Sequence, residues 1–99
     1  MSSRVYVMAS FVVKPQGLET MRGVLAELSR QTALEPGCLE YAYYQSLANP
    51  LEFSSFEVWE DPDSEARHWQ TPHLQAALAQ ASDLLQGDAR IVKYQRVTG

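Results

Sequence analysis

The chain is poor in sulfur and in basic charge. Cys38 is its one cysteine, which excludes an intramolecular disulfide and any multi-cysteine metal site. Eight lysines and arginines stand against twelve acidic residues, for a net charge of −4. Lys14, Lys93 and the six arginines are scattered along the chain. Neutralising phosphates takes a clustered basic stripe, so nucleic acid is not an expected partner, nor is an anionic membrane surface. No apolar run approaches the roughly 20 residues of a membrane span. Met1-Ser2-Ser3-Arg4 leads straight into an alternating segment, without the apolar block and cleavage site of a signal peptide. Soluble, cytoplasmic residence is the expectation. GxGxxG and GxxxxGK[ST] are also missing, so dinucleotide and P-loop chemistry is not expected. Ser54-Ser55 lies mid-strand with no strand-to-helix turn behind it, which argues against a serine hydrolase.

What is present is an ordinary folded composition: 99 residues, 45% hydrophobic and 20% charged. That suffices for one domain, 1–99, with one core. Arg4 to Val13 alternates, with Val5, Val7, Ala9, Phe11 and Val13 on one face and Tyr6, Met8, Ser10 and Val12 on the other, which predicts a strand. After the Lys14–Gly17 turn, Leu18, Met21, Leu25, Leu28 and Thr32 make the apolar stripe of a helix over Leu18–Leu34, which Pro36-Gly37 stops. Cys38–Leu47, with Leu39, Tyr41, Tyr43 and Gln45 on one face, reads as a second strand. Phe53–Glu60 reads as a third, and the short Asn49-Pro50 link predicts a hairpin. Asp61-Pro62 and Thr71-Pro72 are both N-cap-plus-proline signals. They predict a short helix holding Ala66 and Trp69 and ending near Gln70, then a second one with Leu74, Leu78, Ala81 and Leu85 inward, ending before Gly87. Arg90–Val97 is the last strand.

The order strand, helix, strand, strand, helix pair, strand is that of an α+β, ferredoxin-like split β-α-β sandwich. It has a four-stranded antiparallel sheet with helices on one face. A sheet with one wet face should alternate apolar and polar. Here the first strand is apolar on both faces, and the second and third carry aromatics on both. A second copy laid against the uncovered face is the expected partner.

Few residues carry chemistry. His68 and His73 lie five apart with the Thr71-Pro72 break between them, so they are not a helical i, i+4 metal pair, and no metal is expected. His73 falls at the second position of the last helix, where the dipole disfavours imidazolium, and a neutral imidazole there could accept a proton. Glu57 shares a strand face with Phe53, Ser55 and Trp59. If that face meets the helices, the carboxylate needs a partner, for which His68, His73 or an arginine are the candidates. Otherwise it faces solvent. Cys38 reads as a small buried apolar residue.

Pro36-Gly37-Cys38-Leu39-x-Tyr41, Phe53-x-x-x-Glu57-x-Trp59 and Ala66-x-His68-x-x-Thr71-Pro72-His73-Leu74, in this order, resemble the antibiotic biosynthesis monooxygenase (ABM) domain family. The resemblance runs over nearly the whole chain. It implies a ferredoxin-like fold dimerised through its sheets into a dimeric α/β barrel. It also implies, for one branch, oxygenases of quinols and anthrones that use no cofactor: the protein ionises a phenolic substrate and the anion itself reacts with dioxygen. Other branches degrade haem or act on a phosphorylated signalling sugar. Ser10, His68 and Leu78 stand where the haem branch has asparagine, tryptophan and its iron-ligating histidine, so haem is not expected. Trp59 matches the third-strand tryptophan of the polyketide oxygenases, whereas Ser10 departs from their first-strand asparagine. The resulting expectation is a homodimer acting on a small aromatic and dioxygen without cofactor. His73 or His68 takes the phenolic proton and Glu57 orients it. Trp59, Tyr41 and Phe53 line the pocket, and Ser10 bonds a substrate oxygen. The alternatives are a non-catalytic ligand-binding or stress-response module, and a sugar-phosphate isomerase using Arg4, Arg67 and Arg90.

Overall fold

Alternating apolar residues build β1 (Val5–Val13) in the computed structural model, which describes residues 3–99. A single 3₁₀ turn, Pro15–Gly17, leads into α1 (Leu18–Thr32). Met21, Leu25, Leu28 and Thr32 are its buried stripe, at the spacing the sequence predicts. The helix stops two residues before Leu34. Pro36 disfavours helical geometry at Glu35, and the chain turns there, with Glu35 N donating to Thr32 O at 2.9 Å.

β2 (Cys38–Gln45) and β3 (Glu52–Trp59) form the expected antiparallel hairpin. β2 ends at Gln45 rather than Leu47, because Ser46 Oγ accepts from Ala48 N and Asn49 N and starts the turn. Cys38 pairs with Trp59 and Glu40 with Val58, so Leu39 is the extra residue of a bulge. It is exposed and does not share the face of Tyr41 and Tyr43 as the alternation suggested.

Asp61 caps α2 (Pro62–His68) by accepting from Ser64 N at 2.8 Å, and Thr71 caps α3 (Pro72–Ala81) by accepting from Leu74 N at 3.3 Å. α2 buries Ser64, Glu65 and His68, while Ala66 is exposed. α3 buries Leu74 and Ala77, and Leu78 is half-exposed. The spacing predicts a last helix that includes Leu85 and ends before Gly87. Instead it ends at Ala81, and a 3₁₀ turn over Ser82–Leu84 leads into β4 (Leu85–Tyr94). Gln86 and Leu85 pair with Val12 and Val13 of β1, which draws them into the sheet. Gly87, at φ +74, sits in the irregularity between the Gln86 and Arg90 pairs, a left-handed conformation that glycine adopts without a Cβ penalty.

The sheet order is β2-β3-β1-β4, antiparallel throughout. α1 and α3 pack together over one face and seal a core of Val7, Val13, Met21, Leu25, Leu28, Phe53, Trp59 and Leu74. This is the α+β, ferredoxin-like arrangement that the element order predicts. The other face carries Tyr6, Met8, Tyr44, Phe56 and Val58 around a shallow groove, with Phe56 41% and Tyr44 52% exposed. Among the described residues no helix is long and apolar enough to cross a membrane.

Candidate active site

β3 puts Glu57 in the middle of the sheet, on the side that meets the helices, where it is 7% exposed. Its partners are neighbours on the same strand face. Oε2 accepts from Ser55 Oγ at 2.7 Å and Oε1 from Trp59 Nε1 at 3.0 Å. Ser55 Oγ also accepts from Ala9 N across the ladder at 3.0 Å. Burial raises the Glu57 carboxyl above the ordinary carboxylate range, and these two hydrogen bonds pull in the opposite direction. The histidine or arginine partner expected for Glu57 is not what the fold provides.

The histidines meet a different carboxylate. Glu35, in the turn after α1, places one oxygen, Oε2, 2.8 Å from His68 Nδ1 and 2.5 Å from His73 Nε2. Two local features bring the three together. Gly37, at φ +85, lets the turn lie against α2 so closely that a Cβ there would sit 2.0 Å from Ser64 Oγ. The Thr71-Pro72 break turns the chain between α2 and α3. Thr71 Oγ1 donates to His68 O at 2.8 Å and also accepts from Leu74 N, so a single hydroxyl ties the end of one helix to the start of the next. The break therefore does not separate the histidines: it aims both rings at one oxygen.

A carboxylate only accepts, so the nitrogens facing Glu35 carry hydrogens. For neutral His68 this fixes the Nδ1–H tautomer and leaves the Nε2 lone pair free, and among the described residues none hydrogen-bonds Nε2. The ring is 3% exposed, packed on Trp59 at 4.8 Å between centroids and edge-on to Tyr41 at 5.4 Å.

His68 borders a cavity of about 100 Å³ between the sheet and helices α1 and α3. Val7, Leu25, Leu28 and Leu74 are among its apolar walls, and Tyr41, Tyr43, Glu57 and His68 are its polar groups. The half-exposed Leu78 and Ile91 line it where it reaches the surface. The hydroxyls of Tyr41 and Tyr43 are 3.2 Å apart. Burial lifts both phenol pKa values, that of Tyr43 to about 12, so both stay protonated as donors. Burial also pushes the Cys38 thiol to about 11, helped by the nearby Glu35 and Glu57 carboxylates. Such a thiol is a poor nucleophile.

Of the residues singled out from the sequence, Tyr41, Glu57 and His68 border this cavity. Trp59 is fully buried behind His68, and Phe53 is buried in the neighbouring core cluster, so neither lines it. His73 lies outside it, on the far side of Glu35. Ser10 does not belong to it: alternation turns its side chain to the open sheet face, where Oγ lies 2.8 Å from Ser54 Oγ. Glu35, Tyr43 and Trp69 escaped sequence reasoning as site residues. The one local sign of Glu35 is an acidic residue heading the Pro36-Gly37 turn, and nothing nearby in sequence announces its partners.

The family model for antibiotic biosynthesis monooxygenases matches residues 4–80. The chain belongs to that family. Among family-like proteins, Rv0793 of Mycobacterium tuberculosis is 32% identical over 85 residues, covering 86% of this chain and 83% of its own length. Its solved structure superposes with a TM-score of 0.92 over 98% of each chain. A conserved protein from Methanosarcina mazei has a TM-score of 0.92 at 28% identity, over 95% of this chain and 93% of its own. The Synechocystis protein sll1783 is 29% identical over 91 residues, 92% of this chain, but the match spans only 62% of sll1783.

Proposed function

We propose that this member of the family is a monooxygenase that ionises a small acidic aromatic and lets the anion react with dioxygen directly. The observation that carries the reading is His68: Nδ1–H is anchored on Glu35 while Nε2 is unbonded beside an apolar cavity. That is the arrangement of a general base with an orienting carboxylate. His68 accepts the phenolic proton, Glu35 fixes its tautomer, and one hydroxyl of the Tyr41–Tyr43 pair, polarised by the other, donates to the developing oxyanion. The electron-rich ring then gives its electrons to dioxygen. One oxygen atom bonds to carbon as a new carbonyl and the other leaves as water, so no outside reductant is consumed.

A cavity of about 100 Å³ is somewhat smaller than the engineered apolar cavities of about 150 Å³ that hold benzene. The favoured substrate is a single ring, such as a hydroquinone, and even that ring requires the cavity to widen, which the half-exposed Leu78 and Ile91 at its lining allow. No lysine or arginine lines the cavity, which gives a sugar phosphate no counter-charge there. A second copy across the open sheet face completes the assembly.

Oxygen uptake over a panel of single-ring hydroquinones, with no cofactor added, tests the reading. His68→Gln should cut the rate by about 10² to 10⁴, the usual contribution of a positioned base. Undiminished uptake in that variant would overturn the assignment. Tight binding of the same rings without turnover would favour a binding module instead.

A further inference from the structure

The three side chains behind the cavity are also a ligand set. Glu35 Oε2, His68 Nδ1 and His73 Nε2 lie within 4.8 Å of one another, and no other three histidine, cysteine or acidic side chains among the described residues converge in this way. All three are largely shielded, at 9%, 3% and 14% side-chain exposure. They come from three elements: the turn after α1, the end of α2 and the start of α3. Two imidazoles and one carboxylate, with a further position left for water, are the donors of catalytic zinc sites and of related first-row ions. Magnesium and calcium are disfavoured, since they want six or more oxygens.

We infer that Glu35, His68 and His73 bind one divalent first-row cation of zinc-like preference, in place of the hydrogen bonds they otherwise share. Metal bonds near 2.0–2.1 Å in a tetrahedron place ligand atoms about 3.3 Å apart. The present N···O separations are 2.8 and 2.5 Å, and the two ring nitrogens lie within 4.8 Å of each other, so binding requires the carboxylate to retreat by about half to one ångström and the two rings to close by about 1.5 Å. Among the described residues Glu35 Oε1 has no hydrogen-bond partner, so the second carboxylate oxygen is also available to the ion. His73, the most exposed of the three, marks the side from which the ion enters.

The ion would sit outside the cavity, since neither Glu35 nor His73 lines it. It would act on the substrate site through His68. With a cation on Nδ1, the single proton of the neutral ring must reside on Nε2, which turns the base into a donor. On the reading of His68 as base, the cation is therefore an inhibitor of turnover.

Zinc chloride titrated calorimetrically into the full chain tests the site without reference to turnover. The wild type should take up one Zn²⁺ per chain. His73→Ala alters a partly exposed residue and so spares the core, and should bind at least about 100-fold more weakly, as loss of a direct ligand must cost no less than loss of an outer-shell partner. Glu35→Gln should do the same. Cobalt substituted for zinc should give the visible absorption of a low-coordinate histidine-carboxylate site, lost in His73→Ala. No saturable binding, or unchanged affinity in His73→Ala with its fold confirmed by circular dichroism, would overturn the site. If zinc binds at this site and oxygen uptake persists undiminished, the site stands and the reading of His68 as base falls.

Discussion

Glu57 is an acid whose pKa is higher in the folded protein than in the unfolded chain. The folded state therefore holds its proton to higher pH. The cost of burying the charge is absent below the ordinary carboxylate pKa and grows as pH rises through the folded value. Glu57→Gln removes the charge and keeps the shape. The variant should melt close to the wild type at pH 4 and above it at pH 8, and thermal melts at the two pH values check this. An equal difference at both would mean that the hydrogen bonds from Ser55 and Trp59 balance burial, and a variant that falls below the wild type only at pH 8 would mean that they outweigh it. This residue was half legible in the sequence: mid-strand alternation put it on one face with Phe53, Ser55 and Trp59, but left open whether that face meets the helices or solvent. Its partners were mistaken for a simple reason: i and i+2 on a strand share a face, and the nearest donors were its own strand neighbours.

Among the elements, the strands and capped helices follow local rules, and those rules were readable in advance. Asp61-Pro62 and Thr71-Pro72 start helices as predicted. The end of α3 and the start of β4 were not foreseen, because pairing of Leu85 and Gln86 with β1 is a long-range contact that outweighs the apolar helical spacing. The Glu35 cluster was hidden for the same reason, with partners 33 and 38 residues away. The element that decides it is the turn at Gly37. Gly37→Ala places a Cβ in left-handed backbone and 2.0 Å from Ser64 Oγ. Strain and overpacking together should cost about 2–5 kcal/mol, read by urea unfolding. A loss under about 0.5 kcal/mol would show that α2 yields freely to the turn.

For the whole molecule, the open sheet face is the feature that the sequence announced most directly, through a first strand apolar on both sides. Phe56 sits on that face, 41% exposed and outside the core. Sedimentation equilibrium should give twice the 11.1 kDa chain mass for the wild type and the single-chain mass for Phe56→Glu, with an unchanged circular dichroism spectrum. A wild type that sediments as one chain would leave the face without its proposed occupant.

The strand order has a kinetic consequence. β1 and β3 are hydrogen-bonded on both sides, whereas β2 and β4 are edges. Backbone amides on doubly paired strands exchange with water slowly, and those on edges exchange fast. The cavity draws its floor, Val7 and Glu57, from the slow pair and one wall, Leu85, Ala89 and Ile91, from a fast edge. The two sides thus keep different time. Local opening at β4 would leave Glu57 in place, because the strand that carries it is held on both sides.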